Sequence, residues 1–111
     1  LRPLSFIPTF QKHQGIPCHG YQIHITDRTT FQPWRLGQVL CQFFYHHLKE
    51  EFQWKQPPYE YEYDLLPIDI LNGTDQIREW VVNRGSMQEL VAIEAAGFAA
   101  FSERRNSILL Y

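Results

Sequence analysis

Four side chains able to bind metal, attack a carbonyl or carry a proton sit close together: His13, Cys18, His19 and His24. They lie in KHQGIPCHGYQIHITD, residues 12–27, which holds three of the five histidines and one of the two cysteines. Metal binding is the first chemistry to weigh. Structural zinc sites use two tight ligand pairs, such as Cys-x-x-Cys. No such pair occurs here, and the neighbours Cys18 and His19 tend to point apart. The expectation is therefore no metal and no cofactor, with loop histidines at His13 and His19. His24 is either a surface or hydrogen-bonded structural residue, or a cleft residue that exchanges a proton near neutral pH.

The second concentration of chemistry is Tyr59-Glu60-Tyr61-Glu62-Tyr63-Asp64. Glycoside hydrolysis commonly uses two carboxyl groups flanking the scissile bond. If these residues form a strand, Glu60 and Glu62 lie about 7 Å apart on one face. Both then approach from the same side, so any partner of Glu60 must come from elsewhere. The plainer reading is a solvated acidic face backed by a buried tyrosine face. There is no G-x-S-x-G elbow for nucleophilic catalysis and no glycine loop to cradle phosphate.

These residues need elements to hold them. Residues 5–10, with Pro8 unable to donate to a ladder, read as an edge strand or an extended lead-in. Gly15, Pro17 and Gly20 punctuate a loop. Residues 21–26 alternate Tyr21, Ile23 and Ile25 against Gln22, His24 and Thr26, the period of a half-buried strand. A helix starts at Pro33 and carries Leu36, Val39, Leu40, Phe43, Phe44, His47 and Leu48 at helical spacing. Gly37 inside it suggests close packing against another element. Residues 59–64 read as a second strand, and 65–71 as a short strand or a single helical turn. Asn72-Gly73 marks a turn. Thr74 caps a helix running to about Asn83, closed by Arg84-Gly85. Ser86-Met87-Gln88-Glu89 fits a capping box for a last helix to about Arg105. Glu94 interrupts the apolar stripe of that helix, so it needs a partner or the stripe turns. The apolar end at Ile108, Leu109, Leu110 and Tyr111 reads as a docked tail. The order implies an α/β or α+β class: one domain, a small mixed sheet and about three packed helices.

Composition narrows the partners. The 111 residues carry a net charge of −2 and no basic stripe, which excludes nucleic acid as an expected partner. No run of about 18 apolar residues occurs, so no membrane span is expected. With Cys18 and Cys41 alone, two free thiols are preferred to one disulfide, and the compartment stays open. Leu1-Arg2-Pro3-Leu4 has neither an initiator Met nor a signal-peptide pattern, and the expectation is a segment of a longer protein.

Read in order, several motifs combine into one pattern. They are Phe6-Ile7-Pro8-Thr9-Phe10 with Lys12-His13 and Gly15, and then residues 18–28 from Cys18 to Arg28. Phe31-Gln32-Pro33, Pro57-Pro58-Tyr59-Glu60-Tyr61 and residues 67–75 from Pro67 to Asp75 follow. Phe101, Arg104-Arg105 and Leu109-Leu110-Tyr111 close it. The pattern resembles the C-terminal domain of the bacterial exo-β-N-acetylmuramidase family, over nearly the full chain.

The resemblance implies a preceding Rossmann-like N-terminal domain as the partner of this one, with a substrate cleft between them. It implies release of N-acetylmuramic acid from the non-reducing end of peptidoglycan fragments, with a muropeptide or muramyl saccharide as ligand. It implies an exported parent protein, periplasmic or extracellular. It also implies that the position of His19 varies, often to Gly, which speaks against a ligand there. On this reading Lys12, His13, Cys18, His24 and Tyr59 are substrate-binding candidates. Lys12 suits the lactyl carboxylate and Tyr59 a sugar face. Glu60 is the one catalytic candidate in a set expected mainly on the preceding domain, so the segment alone is expected to be inactive. The alternative is a non-catalytic docking or carbohydrate-binding module.

Overall fold

Pro33 opens the longest element, α1 (Pro33–Leu48), where its missing N–H leaves nothing unsatisfied. The computed structural model describes residues 1–110. They divide into two compact units, one from Leu1 to Gln32 and one from Pro33 onward. The class is α+β: a two-stranded antiparallel sheet and a set of packed helices.

The first unit is a hairpin. Strand β1 (Arg2–Phe6) pairs with β2 (Cys18–Gln22), in a register that sets Leu4 opposite Gly20 and Phe6 opposite Cys18. Both strands lie earlier than their sequence patterns suggest. Pro8 leaves the ladder because its carbonyl accepts from Gly15 N–H at 2.9 Å and closes the connecting loop. The alternation over residues 21–26 is not a strand beyond Gln22. β1 begins at Arg2, opposite Gln22, and among the described residues the ladder records no partner for Ile23 onward. Tyr21, Ile23 and Ile25 are exposed rather than anchored in a core. Asp27 then turns the chain, its carboxylate accepting from Thr29 N–H and Oγ1. These bonds hold its pKa below the ordinary value.

The second unit carries the core. After α1, a 3-10 turn (Lys49–Glu51) leads back over the helix, and Trp54 stacks on Tyr45 at 5.6 Å. Helices α2 (Pro67–Asn72), α3 (Gln76–Val82), α4 (Met87–Ala95) and α5 (Phe98–Ile108) follow. Ile77, Trp80 and Val81 of α3 and Leu90 of α4 are buried, with Trp34, Val39, Cys41 and Tyr45 of α1 packed against them. The core thus lies among α1, α3 and α4. Gln38 of α1 is buried too, and its amide donates to Asn72 Oδ1 at 3.0 Å.

Local signals account for several helix ends. The Ser86–Glu89 capping box forms in both directions. Thr74 Oγ1 accepts from Gln76 N–H, just outside α3. The end of α3 differs from expectation. Arg84, not Gly85, takes the left-handed turn (φ 56). Gly85 N–H reaches Trp80 O at 2.9 Å, and Arg84 N–H reaches Val81 O, the paired bonds of a Schellman end. Gly85 is needed for another reason: a Cβ there would lie 2.0 Å from Trp80 Cδ1.

The last helix is broken, not continuous to Arg105. Ala96 is extended and Gly97 left-handed (φ 76), which separates α4 from α5. Glu94 pairs with Arg35 of α1 at 2.6 Å, which explains its place on an apolar stripe. The apolar end is not docked over the described residues, since Leu110 is 94% exposed. The sequence reading of Tyr111 lies outside the described residues.

Candidate functional site

The hairpin loop between β1 and β2 carries most of the chemistry-bearing candidates. Three bonds shape it: Gly15 N–H to Pro8 O, Gln14 N–H to Gln11 O, and Ile16 N–H to His13 O. Gly15 is left-handed, as a glycine allows, but so are Gln11 and His13, each at φ 60. A non-glycine residue in that region costs about 1–3 kcal/mol; Lys49, Glu60 and Arg84 adopt it too, at turns and helix ends. Lys12 lies between these two strained positions, and Lys12 and His13 are both exposed.

Cys18 opens β2, and its thiol donates toward Ile16 O at 3.5 Å. His24 lies just past β2, with Nε2 at 3.2 Å from Gln22 Oε1. It is held by its own segment and is exposed, but it is not on the face of a strand as its alternation implies. The thiols of Cys18 and Cys41 are both free, and burial pushes that of Cys41 up. Among the described residues, no three His, Cys, Asp or Glu side chains gather to hold a metal ion.

The structure adds a pair that sequence reasoning missed. Ser5 Oγ and His19 Nδ1 lie 2.8 Å apart across the hairpin. They line a shallow hollow of about 360 Å³ with Pro3 and Tyr21. No local pattern links positions so far apart; the β1–β2 register creates the pair.

Tyr59 and Glu60 belong to the second unit. Residues 59–64 form no strand. Tyr59 and Glu62 exchange backbone bonds of 2.9 and 3.0 Å around a tight turn, with Glu60 at φ 54. The Glu62 carboxylate accepts from the N–H groups of Tyr63, Asp64 and Leu65. The bonds from Asp64 and Leu65 lead in lowering its pKa. Glu62 therefore holds the turn, which is why the period-two pattern does not extend into a sheet. The tyrosines form no buried face: Tyr61 and Tyr63 are exposed. Tyr59 is half-buried, and the ammonium of Lys55 lies 5.0 Å from its ring centroid. Glu60 is exposed at the turn.

The stretch from Pro67 to Asp75 is scaffold. Asp69 takes both of its oxygens to Arg78 Nε at 3.0 Å. Asn72 Oδ1 accepts from Trp34 and Gln38, and its amide donates to Ile68 O. Gly73 is left-handed (φ 68) and ends α2. One asparagine thereby ties α1 to α2.

Comparison with known proteins gives a consistent picture. The family model described as "Exo-beta-N-acetylmuramidase NamZ, C-terminal" matches residues 1–111. The chain is 30% identical over 110 residues to the "Peptidoglycan beta-N-acetylmuramidase NamZ" of Bacillus subtilis (strain 168). That match covers 99% of this chain but 25% of the relative, so the chain spans a quarter of the relative's length. No solved structure matches it.

Proposed function

This chain belongs to the family of exo-β-N-acetylmuramidase C-terminal domains, and from that premise we propose that it serves a peptidoglycan glycoside hydrolase. The longer protein releases N-acetylmuramic acid from the non-reducing end of peptidoglycan fragments. This domain forms one wall of the substrate cleft, against a Rossmann-like N-terminal domain that supplies most of the catalytic groups. The observation that carries the reading is the family match along the whole chain. The strained loop supports the cleft role. Lys12 is exposed between the left-handed residues Gln11 and His13, in a loop closed by backbone hydrogen bonds.

Each candidate has a physical role on this reading. Lys12 meets the lactyl carboxylate of the muramic acid through charge-assisted hydrogen bonds. His13, Cys18 and His24 line the same wall. Tyr59, half-buried with the Lys55 ammonium 5.0 Å from its ring centroid, is the aromatic side chain assigned to a sugar face. Glu60, exposed at its turn, is the carboxylate this domain can present to the scissile bond. The same reading places the longer protein outside the cytoplasm, and a cleaved signal sequence in it is the check.

Hydrolysis of a chromogenic N-acetylmuramide by the full-length protein tests the assignment. Alanine at Lys12, His24 or Glu60 is expected to lower kcat/KM at least tenfold. If all three leave the rate unchanged, the wall assignment is wrong. The 111-residue chain alone is expected to show no hydrolysis; activity in it would place a complete catalytic set within this domain.

A further inference from the structure

We infer that the hollow between α1 and the end of α3 binds the C-terminal carboxylate of a short peptide, with Arg84 as its anchor. The hollow measures about 470 Å³ and is lined by Val39, Gln42, Phe43, His46, His47 and Arg84. All six belong to the helical unit, so its walls are set within one unit. None of the candidates for the cleft wall lines it. Its size, and a few polar groups on an apolar wall, are ordinary for a small-ligand site.

Two pairs of α1 residues, each four apart and so on one helix face, fix the walls. Gln42 and His46 bind the carbonyls that α3 leaves at its end. Gln42 Nε2 donates to Trp80 O at 3.2 Å and to Gly85 O at 3.1 Å. His46 Nε2 lies 2.7 Å from Val81 O; a carbonyl only accepts, so this nitrogen carries the proton. Phe43 and His47 stack with ring centroids 5.2 Å apart and planes 12° apart. Arg84 completes the hollow from the left-handed turn after α3.

The polar groups these bonds leave over select the ligand. The ion pairs among the described residues are Arg35–Glu94 and Arg78–Asp69, so Arg84 is in neither. No carboxylate lines the hollow. Arg84 also borders a second hollow, but Glu79 and Glu89 line that one and repel an anion. The planar guanidinium fork matches a carboxylate, and the His47 ring adds an N–H donor. Gln42 has both amide hydrogens engaged, which leaves its Oε1 as an acceptor. A peptide end supplies what such a set needs: a carboxylate for Arg84 and His47, a neighbouring N–H for Gln42, and a side chain for the apolar wall of Val39 and Phe43. Inorganic phosphate meets only the first of these needs.

Titration of the 111-residue chain with N-acetyl-alanyl-alanine, followed by amide chemical shifts, tests this. Saturable shifts are expected over residues 42–47 and 82–85. The C-terminal amide of the same dipeptide, and inorganic phosphate, should each bind about tenfold more weakly. Arg84→Gly is the sharpest variant. Glycine takes the left-handed turn freely, so the backbone keeps its path while the guanidinium is removed. Affinity should fall about tenfold in it, and by less in His47→Gln. Arg104→Ala removes the same charge outside the hollow and should leave affinity unchanged. The absence of saturable shifts overturns the inference, as does equal binding of the amide or of phosphate. Affinity that survives Arg84→Gly, or that falls equally in Arg104→Ala, overturns it as well. The D,D and L,L forms of the dipeptide separate the sources: preference for D,D assigns the site to a peptidoglycan stem, and preference for L,L to a protein end.

Discussion

The hairpin and the helical unit are built on opposite principles. In the helical unit, Ile77, Val81 and Leu90 are almost completely buried, and Trp80 Nε1 donates to Ser86 O at 2.8 Å. No buried side-chain polar atom among the described residues lacks a partner. In the hairpin nothing is buried. Left-handed non-glycine residues occur in both units, at Gln11 and His13 in the hairpin loop and at Lys49, Glu60 and Arg84 in the helical unit, so they do not set the two apart. The difference lies in burial: the helical unit is held by a core, the hairpin by its ladder and loop hydrogen bonds.

Substitutions should separate the two units cleanly, beginning with the largest effect. Leu90→Ala removes a fully buried side chain and is expected to cost about 2–5 kcal/mol. Thermal unfolding followed by helical circular dichroism measures it. Leu4→Ala in the same chain should change that transition by less than about 0.5 kcal/mol. A comparable loss at both positions would break the distinction between the units. Gly85→Ala follows, because its methyl would press on Trp80; overpacking of this kind costs about 1–3 kcal/mol. An unchanged midpoint would show that the indole ring can move aside.

Ser86→Ala removes the N-cap of α4, at about 1 kcal/mol in the same measurement. It also carries a pH signature. Hydrogen bonds from Ser86 hold the Glu89 pKa below its ordinary value of 4.5. A carboxyl depressed in the folded state stabilises fully above its unfolded pKa and loses that contribution as pH falls through the folded one. Stability should therefore drop in acid below pH 4.5, and Ser86→Ala, which removes the hydroxyl but keeps the backbone N–H that is the larger cause, should lessen that drop only in part. His13→Gly is expected to have the smallest effect on helix unfolding, within about 0.5 kcal/mol. It should nevertheless raise KM in the full-length protein, because a glycine holds the left-handed loop less firmly. A large shift in helix unfolding would tie the loop to the core.

What was readable in the sequence was mostly local. Proline at the start of α1, the Ser86–Glu89 box and the Asn72-Gly73 turn each act within a few residues, so their types are sufficient evidence. The family resemblance was readable because its motifs run in order along the chain. The two strand misreadings have one cause. A period-two pattern names the faces of a strand but not its partner. Residues 21–26 alternate without a ladder beyond Gln22, and residues 59–64 alternate around a turn that Glu62 holds with its carboxylate. Gly97 was passed over because the apolar stripe continues across it, although its backbone breaks the helix.

By itself the sequence left the class at α/β or α+β, and it determined the starts of α1 and α4 and the family. All of these depend on residue type and order. Tertiary structure alone decided that Asn72 serves Trp34 and Gln38, that Glu94 belongs to Arg35, and that Ser5 meets His19. It also changed the meaning of the histidine-rich stretch. The potential ligands are spread over a loop, a strand and its exit, and Cys18, His19 and His24 each hydrogen-bond to a residue of their own unit. The physical reason is distance along the chain: register and packing set which far-apart side chains share a face, and no local spacing encodes either.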